Sequence, residues 1–274
     1  MMSAIDGGTV VVTGASSGIG REIARQLAPR AGKLVLVARR VERLEALSTE
    51  LRAMRDGLEV VLLPCDLGDR AATLALVETL RAREIEVDVL INNAGVGDMG
   101  VFDRASLDKT LAMIELNVVS LTILTHAVLP GMVARGKGGV LNVSSGFGMS
   151  IMPGFAAYIA TKHYVSGLSE ALVADLAGTG VTMTQVCPGP VATEFEENLG
   201  NFTGQKAPGL VEITAERCAR SAIRGFDRGR ALVVPGIIMS LVLWINHWSP
   251  RFSRRLFSRL LGRVLRKKQL AVGA

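Results

Sequence analysis

Apolar positions along the chain fall in short, nearly continuous runs separated by longer segments that repeat about every 3.6 residues. The runs are Thr9–Thr13, Leu34–Ala38, Glu59–Leu63, Val87–Ile91, Gly139–Val143, Val181–Val186 and Ala231–Val234. Strands read this way when helices cover both faces of a sheet. Between the runs, Ile19–Leu27, Val41–Met54, Ala71–Arg83 and Ala156–Leu176 set their apolar residues on one helical face. Alternating strand and helix predicts an α/β fold, a doubly wound parallel sheet with right-handed crossovers. No repeat, low-complexity stretch or linker interrupts the pattern. It predicts one domain over 1–235 and a helical extension over 236–274.

Composition narrows the picture. Of 274 residues, 49% are apolar and 20% charged, enough core and too few charges for disorder. Cys65, Cys187 and Cys218 form no CxxC pair, and His126, His163 and His247 are scattered. Reduced thiols and no metal site are expected. The start runs straight into a strand pattern without the regions of a signal peptide, which predicts a cytoplasmic body. The net charge of +6 is unevenly placed. Ten Arg and Lys residues and no Asp or Glu follow Asp227, so taking those ten away leaves −4 on the first 227 residues. The basicity belongs to the tail.

Directly after the first run comes Thr13-Gly14-Ala15-Ser16-Ser17-Gly18-Ile19-Gly20, and then a helical pattern. Glycines there permit a tight turn and a close approach of a pyrophosphate to a helix N-terminus. At the end of the second run stands Ala38, where an acid would grip the ribose hydroxyls of NAD; Arg39 and Arg40 follow. Guanidinium groups bind phosphate, so the absent acid and the two bases favour NADP over NAD.

Further on come Asn92-Asn93-Ala94-Gly95, Asn117, Asn142-Val143-Ser144-Ser145 and Tyr158-Ile159-Ala160-Thr161-Lys162. Tyr158 and Lys162 are four apart and share a helical face. An ammonium about 4 Å from a phenol, at an effective dielectric near 20, favours phenolate by up to about 4 kcal/mol. That would bring a phenol pKa of about 10 down by up to about three units, toward neutrality.

The glycine spacing G-x-x-x-G-x-G with its preceding Thr, together with these segments in this order, resembles the short-chain dehydrogenase/reductase family over roughly residues 8–235. The resemblance implies a Rossmann-like fold and hydride transfer between NADP and a carbonyl or alcohol carbon. It implies Tyr158 as general acid/base and Lys162 as the residue that lowers its pKa and holds the nicotinamide ribose. Ser145, thirteen residues before Tyr158, matches the serine that hydrogen-bonds the substrate oxygen, in preference to Ser144. Asn117 matches the residue that holds a relay water. For the cofactor it implies contacts from Gly14, Ser16, Ser17, Gly18, Ile19 and Gly20, and from Arg39 and Arg40 at the 2′-phosphate. Asp66 and Leu67 match the adenine contact, although Asp66 is also placed to cap the next helix. Asn93, Ala94 and Gly95 match the adenosine-side element. Pro188, Gly189, Val191 and Thr193 match the loop that holds the carboxamide. Two other readings stay open: a protein that binds NADP without turnover, and an NAD-dependent alcohol dehydrogenase.

After Ser145 the chain reads Gly146-Phe147-Gly148-Met149-Ser150-Ile151-Met152-Pro153-Gly154-Phe155. These side chains are either core or the walls of a pocket for a hydrophobic ketone such as an acyl-chain, steroid-like or polyketide carbonyl. No Arg or Lys stands out for a substrate carboxylate. In the tail, Gly236–Ile245 is apolar but short of the roughly 20 residues needed to cross a bilayer. Beyond Pro250, Phe252, Leu256, Phe257, Leu260, Leu261, Val264 and Leu265 recur on one stripe among arginines. Over 251–268 this is a basic amphipathic helix, suited to the anionic inner face of a membrane. It would equally cover its own active site or a second subunit of a homodimer or homotetramer. Nucleic acid is not expected, since no DNA-binding motif is present.

Overall fold

The computed structural model describes residues 3–197, 199–200, 209 and 211–272. Seven parallel strands form one sheet, in the order Glu59–Pro64, Lys33–Ala38, Thr9–Thr13, Val89–Asn92, Gly138–Val143, Val181–Val186 and Leu232–Val233. In chain order the elements begin β1 (Thr9–Thr13), α1 (Gly18–Leu27), β2 (Lys33–Ala38), α2 (Val41–Met54), β3 (Glu59–Pro64), α3 (Arg70–Ala82) and β4 (Val89–Asn92). Next come α4 (Leu107–Ile114), a π turn (Glu115–Ser120), α5 (Leu121–Arg135), β5 (Gly138–Val143), α6 (Ala156–Asp175) and β6 (Val181–Val186). A small ribbon of β7 (Val191–Ala192) and β8 (Ile213–Thr214) flanks α7 (Glu194–Glu197). The chain then runs through α8 (Ala215–Asp227), β9 (Leu232–Val233), α9 (Ile237–Trp248) and α10 (Arg251–Val272).

The sheet is buried on both sides because its strands alternate apolar residues toward two separate cores. Val10, Val12, Leu34 and Leu36 meet Ile23 and Leu27 of α1, Leu44 and Leu47 of α2, and Ile223 and Phe226 of α8. Val11, Val35, Val37 and Leu90 point the other way, toward Leu76 and Leu80 of α3 and Leu124 and Met132 of α5. Each fully buried Leu or Ile contributes about 1.5–3 kcal/mol of apolar burial. The strand order reverses between β1 and β4, which opens a crevice at their carboxyl ends. There the glycine loop after β1, the NNAG segment after β4 and the serines after β5 converge.

The sequence pattern places these strands within a residue or two. It does not show the continuous helix Leu107–Arg135, whose apolar residues are spread around its circumference, part of them packed on the sheet and part, such as Leu107, Leu111 and Val133, exposed. By length and composition that helix could cross a membrane, yet Leu121, Leu124, Thr125 and Met132 are buried in the fold. The tail stripe is also divided. Leu265 is buried and Leu261 half-buried against the body, whereas the other five apolar residues face outward. Helices α9 and α10 thus both lie on the chain's own loops around the site. Val101 N–H donates to Gln269 Oε1 at 2.7 Å, and Arg266 makes a two-pronged pair with Asp103 at 2.8 and 3.0 Å.

Candidate active site

Thr13 and Asn93 fasten the glycine loop to the end of β4. The Thr13 hydroxyl accepts from the N–H groups of Asn93 (2.9 Å) and Ala94 (3.0 Å). The Asn93 amide donates to the carbonyls of Thr13 (2.9 Å) and Gly14 (3.3 Å). So close is the approach that a Cβ at Gly14 would meet the Asn93 amide nitrogen at 2.8 Å, and one at Gly20 would collide with the same amide. Gly14 also needs φ of +65°, which L side chains avoid. Ser17, at the N-cap of α1, makes no side-chain cap, so the helix start presents uncapped N–H groups. A cradle of backbone with no side chain in it, at a helix N-terminus, fits a pyrophosphate. Thr193 lies over it, since a Cβ on Gly18 would meet Thr193 Cγ2 at 3.1 Å. That contact brings the Pro188–Thr193 loop to the same place as Gly18, Ile19 and Gly20. Within the loop the Pro188 carbonyl accepts from Gly146 N–H (2.7 Å), Gly189 lies under Met239, and the Val191 side chain is buried.

Around the adenosine end, Arg40 donates to Ser16 Oγ (3.2 Å) and Ser17 Oγ (2.8 Å). The same guanidinium pairs with Glu194 at 2.8 Å, and Arg43 joins it at 2.5 Å. Both arginines hold the Glu194 carboxyl below its ordinary pKa, Arg40 more strongly. Arg39 is largely exposed and lies 3.7 Å from Asp66. Asp66 does not cap the next helix; Asp69 does, accepting from Ala71 N–H at 2.8 Å. The Asp66 carboxylate takes only the N–H of Gly68 (2.9 Å) and stays half-exposed at the crevice rim, while the Leu67 side chain enters the core. Glu194 and Arg43 escaped the sequence reading. The available signal was an acid directly after Thr193 and a third arginine one turn beyond Arg40.

Tyr158 and Lys162 project from α6 and are each only 5% exposed. Phe147, Phe155 and Phe195 ring the phenol, with centroids 5.7–6.5 Å away. Burial pushes the Tyr158 pKa up to about 12, against a smaller opposite pull from a hydrogen bond with Ser145. Lys162 Nζ sits 5.8 Å from the ring centroid and donates to the Val143 carbonyl at 3.0 Å. Burial brings its own pKa down to about 8. The four-residue spacing of Tyr158 and Lys162 predicts an acidified phenol. Desolvation instead dominates here, because the ammonium is turned toward β5 and the phenol has an apolar wall.

The two serines differ. Ser144 is buried, donates to the Lys162 carbonyl (3.1 Å) and shares a hydrogen bond with Ser166 (2.9 Å). Ser145 accepts from Phe147 N–H (3.2 Å) and lies on the phenol's side, where it pulls the Tyr158 pKa down against burial. Asn117 lies in the π turn, buried, and its amide is fully engaged. It donates to the Val96 carbonyl (2.8 Å) and to Thr161 Oγ1 (3.1 Å), and accepts from Val96 N–H (3.0 Å). Gly95 is wedged there, its Cβ position 3.2 Å from Asn117 Oδ1 and 3.5 Å from Lys162 Nζ. Asn117, Ser145, Tyr158 and Lys162 are thus gathered at one end of the crevice, and the cradle lies at the other.

A nucleotide cradle joined through one crevice to a buried Ser–Tyr–Lys cluster defines a dinucleotide-dependent oxidoreductase of the doubly wound class. The family model for short chain dehydrogenases matches residues 8–203, and the chain belongs to that family. It is 36% identical over 240 residues to an NADP-dependent 3-hydroxy acid dehydrogenase of Schizosaccharomyces pombe, covering 85% of this chain and 92% of that protein. It is 35% identical over 221 residues to human dehydrogenase/reductase SDR family member 7, covering 77% of this chain and spanning 65% of the human protein's length. Among solved structures, a short-chain dehydrogenase from Sphingobium yanoikuyae in complex with NADPH superposes with a TM-score of 0.77 at 34% identity, over 84% of this chain and 88% of that one.

Proposed function

We propose that the chain is an NADP(H)-dependent oxidoreductase that reduces the carbonyl of a hydrophobic substrate, an acyl-chain, steroid-like or polyketide ketone, or oxidises the corresponding alcohol. The observation that carries this is the buried Tyr158 phenol, one turn from Lys162 on α6, beside Ser145 and walled by Phe147, Phe155 and Phe195. The aromatic and aliphatic side chains around the phenol favour an uncharged substrate over the hydroxy acid named for the fission-yeast relative. NADP is favoured over NAD by Arg39 and Arg40 beside Ala38, by the relative's stated dependence and by the NADPH complex of the similar structure. NADPH, when bound, supplies the hydride.

The chain's own residues do the rest. With a pKa of about 12, Tyr158 is protonated at neutral pH and carries the proton that a reduced carbonyl oxygen must receive. Ser145 donates a second hydrogen bond to that oxygen as charge develops on it. The phenolate left behind is stabilised and reprotonated from the Lys162 side, where Asn117 and Thr161 fix the surrounding backbone. Ser16, Ser17 and Arg40 hold the cofactor's phosphates, and Thr193 and Val191 the carboxamide end. The family resemblance supports a homodimer or homotetramer, and the basic amphipathic stripe of 251–268 supports a tail at an anionic membrane face. NADPH oxidation with a ketone series of increasing chain length tests this reading: KM falls as the chain lengthens, and NADH is the poorer donor. A series without turnover, or one in which short charged keto acids outrun every long ketone, contradicts it.

A further inference from the structure

The helices α9 and α10 have two faces of different character. Their inner face is spent on the body. Met239 lies over Gly146 and Gly189, the Asn246 amide donates to the Met149 carbonyl at 3.1 Å, and Leu243 and Leu265 are buried. With Gln269 on Val101 and Arg266 on Asp103, the hairpin is fixed across the two loops that flank Tyr158.

The outer face is apolar and uncovered. On α9 it presents Ile237, Leu241, Trp244 and Trp248, between 55% and 82% exposed. On α10, Phe252, Leu256, Leu260 and Val264 stand four apart in one ridge, with Phe257 beside it, between 47% and 76% exposed. Phe102 and Ile151, in the loops beneath, add two more exposed side chains. At roughly 100 Å² apiece, the exposed side chains of either helix alone reach the size of about 300–600 Å² at which an apolar patch is often functional.

Charge selects the occupant. Arg255, Arg259, Arg263 and Lys267 stand four apart in a second ridge beside the apolar one, and neither helix contains an acid. None of these four forms an ion pair among the described residues. At the foot of α9 an open cleft of about 430 Å³ is edged by Arg224, Arg228 and Arg230. A two-fold contact between copies would set each cationic ridge against its twin, since such an interface pairs a surface with itself. An anionic bilayer complements both ridges at once: the apolar one enters the acyl boundary and the cations meet the headgroups.

We propose that the α9–α10 hairpin docks the protein on an anionic lipid surface, with the loops bearing Phe102 and Ile151 turned toward the lipid. An apolar substrate then approaches Tyr158 from the membrane side. This deepens the membrane placement in the proposed function and gives it residues; binding itself does not depend on turnover.

The chain's two tryptophans, Trp244 and Trp248, both lie on this face, so their emission reports on it directly. The full-length protein is titrated with phosphatidylcholine vesicles, with and without phosphatidylglycerol, and with brominated lipid as quencher. The expected result is a blue shift and quenching on phosphatidylglycerol vesicles, reversed by salt. Replacing Arg255, Arg259 and Arg263 together by Gln weakens that binding roughly a hundredfold, at about one kcal/mol per cation. The same variant reduces a short water-soluble ketone as the parent does. Unchanged emission with both vesicles overturns the docking. So does a blue shift that follows protein concentration without lipid while light scattering shows a doubled mass, which assigns the face to a second copy. Vesicle binding without turnover of any ketone leaves the docking standing and removes the enzymatic reading instead.

Discussion

Replacing Lys162 by Met separates what the buried ammonium does for stability from what it does for chemistry. Burial brings its pKa from the ordinary 10.5 to about 8, and that fall corresponds to about 3 kcal/mol against the charged folded form. Met fills much of the same volume without a charge, so it removes this cost. It also strips the Val143 carbonyl of its donor at 3.0 Å, a loss of about 1–3 kcal/mol. At pH 7 the variant is therefore as stable as the parent or more so, by up to about 2 kcal/mol. The sign then reverses with pH. Below pH 8 lysine is charged in both states and the full cost applies. Between about pH 8 and 10.5 the unfolded chain binds more protons than the folded one, so the parent gains stability as pH rises. Of the nearby titratable groups, Tyr158 and Cys187 are both raised by burial, and loss of the Lys162 charge pushes the Cys187 thiol further up, so it stays neutral over this range. Urea denaturation of each across pH 7–10.5 reads the difference directly. The variant's advantage falls by about 3 kcal/mol and ends as a deficit, while NADPH-dependent turnover drops about a hundredfold or more at every pH. A difference that stays constant with pH, or a parent several kcal/mol more stable at pH 7, refutes the reasoning.

Glu194→Gln releases Arg40 and Arg43 from their internal carboxylate. NADPH then binds several-fold more tightly by calorimetry, and thermal stability changes little because the pair is exposed; weaker binding contradicts this. Asp69→Ala removes the cap of α3 and lowers the denaturation free energy by about 1 kcal/mol. Asp66→Ala leaves stability unchanged and raises the KM for NADPH. Ser144→Ala breaks two buried hydrogen bonds and costs about 1–3 kcal/mol of stability. Ser145→Ala folds normally and loses kcat, and an exchange of these two outcomes would reassign the serines.

The strands and the glycine loop were legible because burial on both faces leaves runs such as Thr9–Thr13 and Lys33–Ala38 almost without polar residues. The catalytic cluster was legible through spacing, since residues four apart on a helix share a face. Features made by the fold itself were not. The helix through Asn117 carries apolar residues on its exposed side as well as its buried one, so it shows no clear amphipathic signature, and its π turn has no mark in composition. Asp66 and Asp69 stand three apart before one helix, and only the geometry shows that the nearer one caps it. The local sequence carries the attraction between Tyr158 and Lys162 but not the desolvation supplied by Phe147, Phe155 and Phe195 from three separate segments. The tail periodicity announced an amphipathic helix, and packing against the Pro153–Gly154 turn decided that Leu265 turns inward.

The most direct measurement is the single-turnover rate of NADPH oxidation by Tyr158→Phe with a long-chain ketone, alongside its affinity for NADPH. The phenol carries the transferred proton, so the rate falls about a thousandfold or more while NADPH binding and the folded state persist. A rate within tenfold of the parent means that the proton comes from elsewhere, and the assignment of this site fails.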